Sequence, residues 1–156
     1  MSFQTIIKTK DLSSSQSEQI DRAWNDEYPI KLNNRFGLLL NDAKSHVHYI
    51  IEKEKQEVIA WGVMFEKEDE LRFSILVLSK YKGQGMGKLL IDAFKNDYPI
   101  FYGWVIDHDN DVKANGEKYV SPLPFYLKQG FNILNEQRID TEMISAVMVI
   151  FQRESN

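Results

Sequence analysis

Apolar and polar positions change their spacing several times along this chain, and each change marks an element. Phe3 to Lys8 carries β-branched residues and predicts a first strand. Ser13-Ser14-Ser15 then offers helix N-caps, and Ser15 with Glu18 has the capping-box spacing. Ile20, Ala23 and Trp24 form one apolar stripe, which Tyr28-Pro29 closes. Leu32, Phe36, Leu39 and Leu40 predict a second helix over about Ile30 to Leu40, with those side chains facing inward.

Three strand-like runs follow: His46 to Glu52, Val58 to Phe65 and Leu71 to Leu78. The connections Lys53-Glu54-Lys55-Gln56-Glu57 and Glu66-Lys67-Glu68-Asp69-Glu70 are short and fully polar, which favours antiparallel hairpins with solvated turns. Met86, Leu89, Leu90, Ala93 and Phe94 then recur at i, i+3, i+4, i+7 and i+8, the apolar face of a helix. Asp97-Tyr98-Pro99 ends it, and Ile100 to Ile106 predicts another strand. His108 to Lys118 is polar and contains the turn pair Asn115-Gly116. Ser121-Pro122 reads as an N-cap followed by proline at the first helical position, and Gly130 stops that helix after Gln129. Phe131 to Leu134 and Met143 to Phe151 predict two closing strands. Hairpins and helical crossovers together define an α+β chain built on a mixed sheet. No repeat, low-complexity tract or linker divides it, so residues 1–156 read as one domain.

Composition narrows the chemistry. A chain of 156 residues can bury about two-thirds of its unfolded surface. The absence of cysteine excludes disulfides, thiolate metal sites and a cysteine nucleophile, and nothing else in the sequence calls for a metal. Met1 to Lys8 lacks the apolar core of a secretory signal, and no apolar run approaches the ~20 residues needed to cross a bilayer. A cytoplasmic protein with no membrane partner is the expectation. The net charge of −4, with both signs interspersed, offers no dense basic patch for nucleic acid. Against that background Lys80, Lys82 and Lys88 form a local cationic cluster.

That cluster surrounds Gly83, Gly85 and Gly87, three glycines at alternate positions between a strand and an amphipathic helix. Glycine permits positive φ and lets a ligand approach the backbone. The first amides of a helix lack intrahelical partners and favour negative charge. A phosphate or pyrophosphate is the natural guest, with Lys82 and Lys88 adding charge at the rim. Two familiar loops fail to fit. A P-loop read back from Gly87-Lys88 would begin at Lys82 and end at Leu89, neither of the required type. A dinucleotide fingerprint would need glycine where Lys88 stands. A turn that only joins strand to helix is the plainer alternative, yet three glycines cost roughly 0.5–1 kcal/mol each in backbone entropy.

Lys82-Gly83-Gln84-Gly85-Met86-Gly87 resembles the [RQ]-x-x-G-x-[GA] signature of the GNAT superfamily of N-acetyltransferases, with lysine in place of arginine or glutamine. Phe125-Tyr126-Leu127-Lys128-Gln129-Gly130-Phe131 is similar to the same family's Y-x-x-x-G-F segment. The resemblance spans essentially the whole chain. It implies a mixed, mostly antiparallel sheet of about seven strands flanked by about four helices. Two central strands would splay, and the pantetheine arm of acetyl-CoA would lie between them. By position, Ile75, Leu76 and Val77 would offer backbone groups to that arm, and amides from Gly83 to Lys88 would hold the pyrophosphate. Tyr126 would donate the proton that the departing thiolate takes. Its ordinary pKa of about 10 keeps the phenol protonated, and a thiol-like acceptor of about 8.5 suits it.

The general base is open. Glu66, Glu68, Glu70, Asp107, His108 and Asp109 are candidates by position, and His46 and His48 alternate on one strand. Seven residues before its tyrosine the family often has asparagine, where this chain has Tyr119. The polar segment from Asp107 to Ser121 hints at a loop that shapes the acceptor site. Trp24, Tyr28, Tyr102 and Trp104 are further candidates for its lining. The resemblance therefore implies transfer of an acetyl group to a primary amine of a small molecule or protein. A non-catalytic acyl-CoA sensor or partner module is the alternative, and a homodimer is left open.

Overall fold

The computed structural model describes residues 5–154. The predicted first strand is seen as β1 (Ile6–Thr9); Phe3 and Gln4 lie outside the described residues. The remaining elements are α1 (Ser14–Glu27), β2 (Ser45–Lys53), β3 (Glu57–Lys67), β4 (Glu70–Val77), α2 (Met86–Asp97), β5 (Ile100–Ile106), α3 (Leu123–Lys128), β6 (Asn132–Asp140) and β7 (Ser145–Gln152). All strands form one seven-stranded sheet in the order β1-β2-β3-β4-β5-β7-β6. Every neighbouring pair is antiparallel except β4 with β5.

Three α-helices occur among the described residues, one fewer than expected. The missing one is Ile30 to Leu40, which folds as two short 3-10 turns, Ile30–Leu32 and Phe36–Leu38. Asn34 between them takes φ 66°, a left-handed conformation that ends a helix and that asparagine tolerates. Asn25 holds it there, accepting from the Asn34 N–H at 2.7 Å. The apolar spacing still served packing, because Phe36, Leu39 and Leu40 rest against the core beneath α1. The α1 cap also lies two residues earlier in the serine run than Ser15. Ser13 accepts from the Gln16 N–H at 3.1 Å, and the Gln16 side chain accepts from the Ser13 N–H at 2.8 Å. Ser15 and Glu18 have the same spacing, so the sequence pattern alone is degenerate.

The hairpin between β3 and β4 is tighter than the polar run implies. Lys67 pairs with Glu70, and Glu68 and Asp69 carry φ of 54° and 63°, as a two-residue primed turn demands. β6 continues well past Leu134, since its polar residues face solvent on an edge strand. α3 starts one residue later than predicted, with Pro122 as its N-cap. It ends in a Schellman motif: Gly130 (φ 92°) donates to the Leu127 carbonyl at 3.2 Å, and Phe131 donates to that of Tyr126 at 3.1 Å.

The sheet carries α1 on one face and α2 on the other. α1 buries Ile20, Ala23 and Trp24 over Ile50, Trp61, Val63 and Leu76. α2 buries Met86, Leu90, Ile91 and Phe94; Leu89, expected inward, is 37% exposed, because the stripe turns toward Ile91. Phe73, Phe94, Phe101 and Phe131 pack mainly edge-on or tilted at centroid distances of 5.4–6.0 Å. Gly103 makes room for this cluster, since a Cβ there would stand 2.4 Å from Phe73 Cε1. Deleting a ring of this size from a core costs roughly 3–5 kcal/mol, so the aromatic layer is a rigid wall for whatever lies beside it.

Candidate active site

β4 and β5 run parallel but pair at one point, Arg72 opposite Tyr102, and then diverge. A cleft of about 870 Å³ opens from that divergence. Leu78 donates to the Ile59 carbonyl at 3.1 Å, which fixes the β3–β4 register and with it the direction of every backbone group on β4. Alternation turns Leu76 toward Trp61 on β3 and leaves Ile75 and Val77 with N–H and C=O groups facing the gap. The Ile75 carbonyl is already engaged, accepting from the Tyr28 hydroxyl at 2.7 Å. Tyr28 also lies 3.3 Å from Ser74 Oγ.

The glycine loop forms the end of the cleft beyond β4. Gly83 and Gly85 adopt φ of 78° and 85°, and a Cβ on either would meet nothing within 4 Å, so the space above them is open. Gly85 is the N-cap of α2 and its carbonyl accepts from Leu89 at 3.0 Å. The amides of Met86, Gly87 and Lys88 therefore have no acceptor among the described residues. At Gly87 a Cβ would stand 3.2 Å from Phe125 Cζ, so glycine lets α3 close on the start of α2. This cradle fits a diphosphate: open space, unpartnered donors and the positive end of a helix dipole coincide.

Tyr126 stands in the wall of the same cleft, its ring wedged among Phe73, Phe125 and Phe131 at 5.2–5.6 Å. Its hydroxyl has no hydrogen-bond partner among the described residues. Burial pushes its pKa well above the usual tyrosine value, and the nearby phenols of Tyr28 and Tyr119 push it further. The phenol is therefore fully protonated at neutral pH. Tyr119, in the place of the expected asparagine, is buried beside Tyr28 with ring centroids 6.3 Å apart.

Of the predicted site residues, Ile75, Leu76, Val77, Lys82, Gly83, Gly85, Met86, Gly87, Lys88 and Tyr126 all line this one cleft. Gln84 is exposed and stands outside its lining. Trp24, Tyr28 and Trp104 line it as well, whereas Tyr102 does not. Lys88 pairs with Asp92 at 2.6 Å on the helix surface.

Glu27, the last residue of α1, had no sequence signal beyond its place at a helix end. It is 6% exposed, and it is the one carboxylate among the described residues that lines the cleft. Lys82 Nζ approaches Oε1 at 2.8 Å and Lys113 Nζ at 3.5 Å, while Ser79 donates to Oε2 through its N–H and hydroxyl. Burial works against the charged carboxylate, but the bonds from Lys82 and Ser79 and the charge of Lys113 outweigh it and hold the pKa below the ordinary value. So stabilised an anion makes a weak base. It clamps α1, the glycine loop and the polar segment after β5 together.

The other carboxylates and histidines raised as bases sit elsewhere. Glu68 and Glu70 each hold Arg72 at 3.1 Å, Asp107 holds Arg138 at 2.7 Å, and Asp109 accepts from the Ser121 N–H at 2.7 Å. Glu66 and His108 also fall outside the cleft lining. His48 lies in a separate hollow with His46; its Nδ1 accepts from Trp61 at 3.0 Å, and burial with the neighbouring His46 pushes its pKa down to about 4. That histidine is a neutral core residue.

A mixed sheet split beside a glycine-capped helix is the arrangement that the GNAT resemblance implies, and comparison with known proteins supports that family. The model of the acetyltransferase (GNAT) domain matches residues 44–133. This chain belongs to the GNAT acetyltransferase family. It is similar to an aminoglycoside 6′-N-acetyltransferase complexed with coenzyme A, at 10% identity and a TM-score of 0.67, covering 97% of this chain and 98% of that one. It is also similar to the ribosomal-protein-S18-alanine N-acetyltransferase from Escherichia coli (13% identity, TM-score 0.60, 97% of each chain). A phosphinothricin acetyltransferase from Sinorhizobium meliloti in complex with AcCoA matches at 11% identity and a TM-score of 0.61, over 96% of this chain and 88% of that one. These identities speak for the shared fold. A search of curated proteins gives no match. Among the described residues no helix is long and apolar enough to cross a membrane.

Proposed function

We propose that this chain is an N-acetyltransferase that moves the acetyl group of acetyl-CoA to a primary amine, with Tyr126 as general acid. The observation that carries this reading is the buried, unpartnered phenol of Tyr126 in the wall of a cleft whose other end is the open glycine cradle. Acetyl-CoA supplies a thioester. The amides of Met86, Gly87 and Lys88 would bind its diphosphate, and Ile75 and Val77 would bind the pantetheine arm along the open edge of β4. The amine nitrogen attacks the carbonyl carbon, the C–S bond breaks, and the Tyr126 proton passes to the leaving sulfur. The proton shed by the amine leaves through water and restores the phenol. The named structural relatives act on amines, which supports an amine as acceptor.

Acetyl-CoA at about 100 times its dissociation constant should stabilise the fold by about 2.7 kcal/mol, with ATP or NAD giving little. Thiol release with a panel of amines then reports turnover. A chain that binds acetyl-CoA but releases no thiol with any amine would be the acyl-CoA sensor instead. That reading has one observation on its side: the cleft's carboxylate, Glu27, is held by two lysines and is a poor proton acceptor.

A further inference from the structure

The cleft has a second half, on the α1 face of the sheet and remote from the glycine loop. Its floor comes from β3, β4 and β5, where Phe65, Lys67, Arg72, Ser74 and Trp104 line the space. The turn segment after α1 closes it from above with Arg35 and Leu39. The side chains lining this half that carry charge at neutral pH are cations: Arg35, Lys67 and Arg72. Arg35 and Lys67 have no ion-pair partner among the described residues. Arg72 is 12% exposed, and Glu70 and Glu68 take its Nε and Nη2, leaving Nη1 without an acceptor. The two glutamates thus orient the guanidinium from outside the cleft and leave a donor edge free.

These cations are misplaced for the phosphates. Five residue steps of extended β4 lead from Arg72 to Val77, roughly 16 Å of strand, before the glycine loop begins. Two cations without ion-pair partners and a planar, half-buried guanidinium lining the same half are instead suited to an anion carried by the acceptor. A polyamine would meet like charge there. We infer that the acceptor is an amine bearing its own anionic group, a carboxylate or phosphonate, gripped by Arg35, Lys67 and Arg72. This inference rests on the acetyltransferase reading above and adds the acceptor's class to it. The carboxylate can belong to a free amino acid or to an acidic residue beside a peptide's N-terminus, since the recognising chemistry is the same.

The test is kcat/KM for thiol release with matched acceptors. Leucine is compared with leucinamide, isoamylamine and its aminophosphonate analogue; an Ala-Asp peptide is compared with its Ala-Asn counterpart; spermidine is the cationic control. An advantage of about tenfold or more for the anion-bearing member of either set is expected. It should vanish in Arg35→Glu and Lys67→Glu, whose side chains hold no partner and whose loss should leave folding intact. Equal or better rates with leucinamide, Ala-Asn or spermidine would overturn this inference while leaving the acetyltransferase reading in place. Silence from every amine, with acetyl-CoA still stabilising the fold, would sink both.

Discussion

The two ends of the cleft are built by opposite means. The glycine-loop end is built almost wholly from main chain: positive φ at Gly83 and Gly85, absent side chains and the orphan amides of one helix. The far end is built from side chains that five separate elements bring together, among them Arg35, Phe65, Arg72, Trp104 and Ile139. A diphosphate is the same in every acyl-CoA, so a local backbone cradle can be short and contiguous. An acceptor has no fixed shape, and a surface assembled from distant side chains can change without disturbing that cradle.

The sharpest way to break this contrast is Gly85→Val. A branched side chain at φ 85° is strained, and it would fill the open space where the phosphates should lie. Acetyl-CoA affinity is expected to fall by at least about a hundredfold, seen as loss of ligand-induced stabilisation. Gly116→Val is the control, since Gly116 has φ 87° and equally open surroundings but stands outside the cleft. It should carry similar strain and bind normally. Weakened binding in both would show that backbone strain, not occupied space, is responsible.

Tyr126→Phe probes the seam between the two ends. The ring packing with Phe73, Phe125 and Phe131 survives the change, so folding and acetyl-CoA affinity should hold. Turnover should fall by about 10²-fold, the lower range for a positioned proton donor. Unchanged kcat would remove Tyr126 from the mechanism.

The same contrast explains what the sequence could disclose. Local features were legible: the alternating runs of β2 to β5, the stripe of α2, the three glycines, and Gly130 ending α3. Each depends on residues a few positions apart. Glu27, Arg35, Lys67 and Arg72 sent no signal, because their placement depends on strand register and on the path of the chain after α1. That path is where the sequence pattern and the structure part. Leu32, Phe36, Leu39 and Leu40 obey a helical period, yet a left-handed Asn34 splits the segment into two turns. One result is that Arg35 lines the half of the cleft remote from the glycine loop. The apolar pattern reported which residues are covered and not the backbone that covers them.

Glu27→Gln should have the smallest effect, and it joins the two regions with opposite signs. The carboxylate ties Lys82 of the glycine loop and Lys113 of the polar segment to the end of α1. Losing it leaves the half-buried Lys113 without its counter-ion and weakens the bonds to Ser79, so stability at pH 7 should drop by about 1–2 kcal/mol. Because the folded carboxyl sits below its ordinary pKa, its contribution is complete above that ordinary value. It is lost as pH falls through the lowered one. Denaturant titrations from pH 6 to pH 3 should therefore show a shallower acid loss in the variant. Acetyl-CoA binding should move the other way. Lys82, freed from its partner and only half-covered, gains a phosphate to face, and affinity should rise about threefold. A variant that loses stability and affinity together would mean that Glu27 holds the loop in its binding shape, and that the lysine's charge contributes nothing separable.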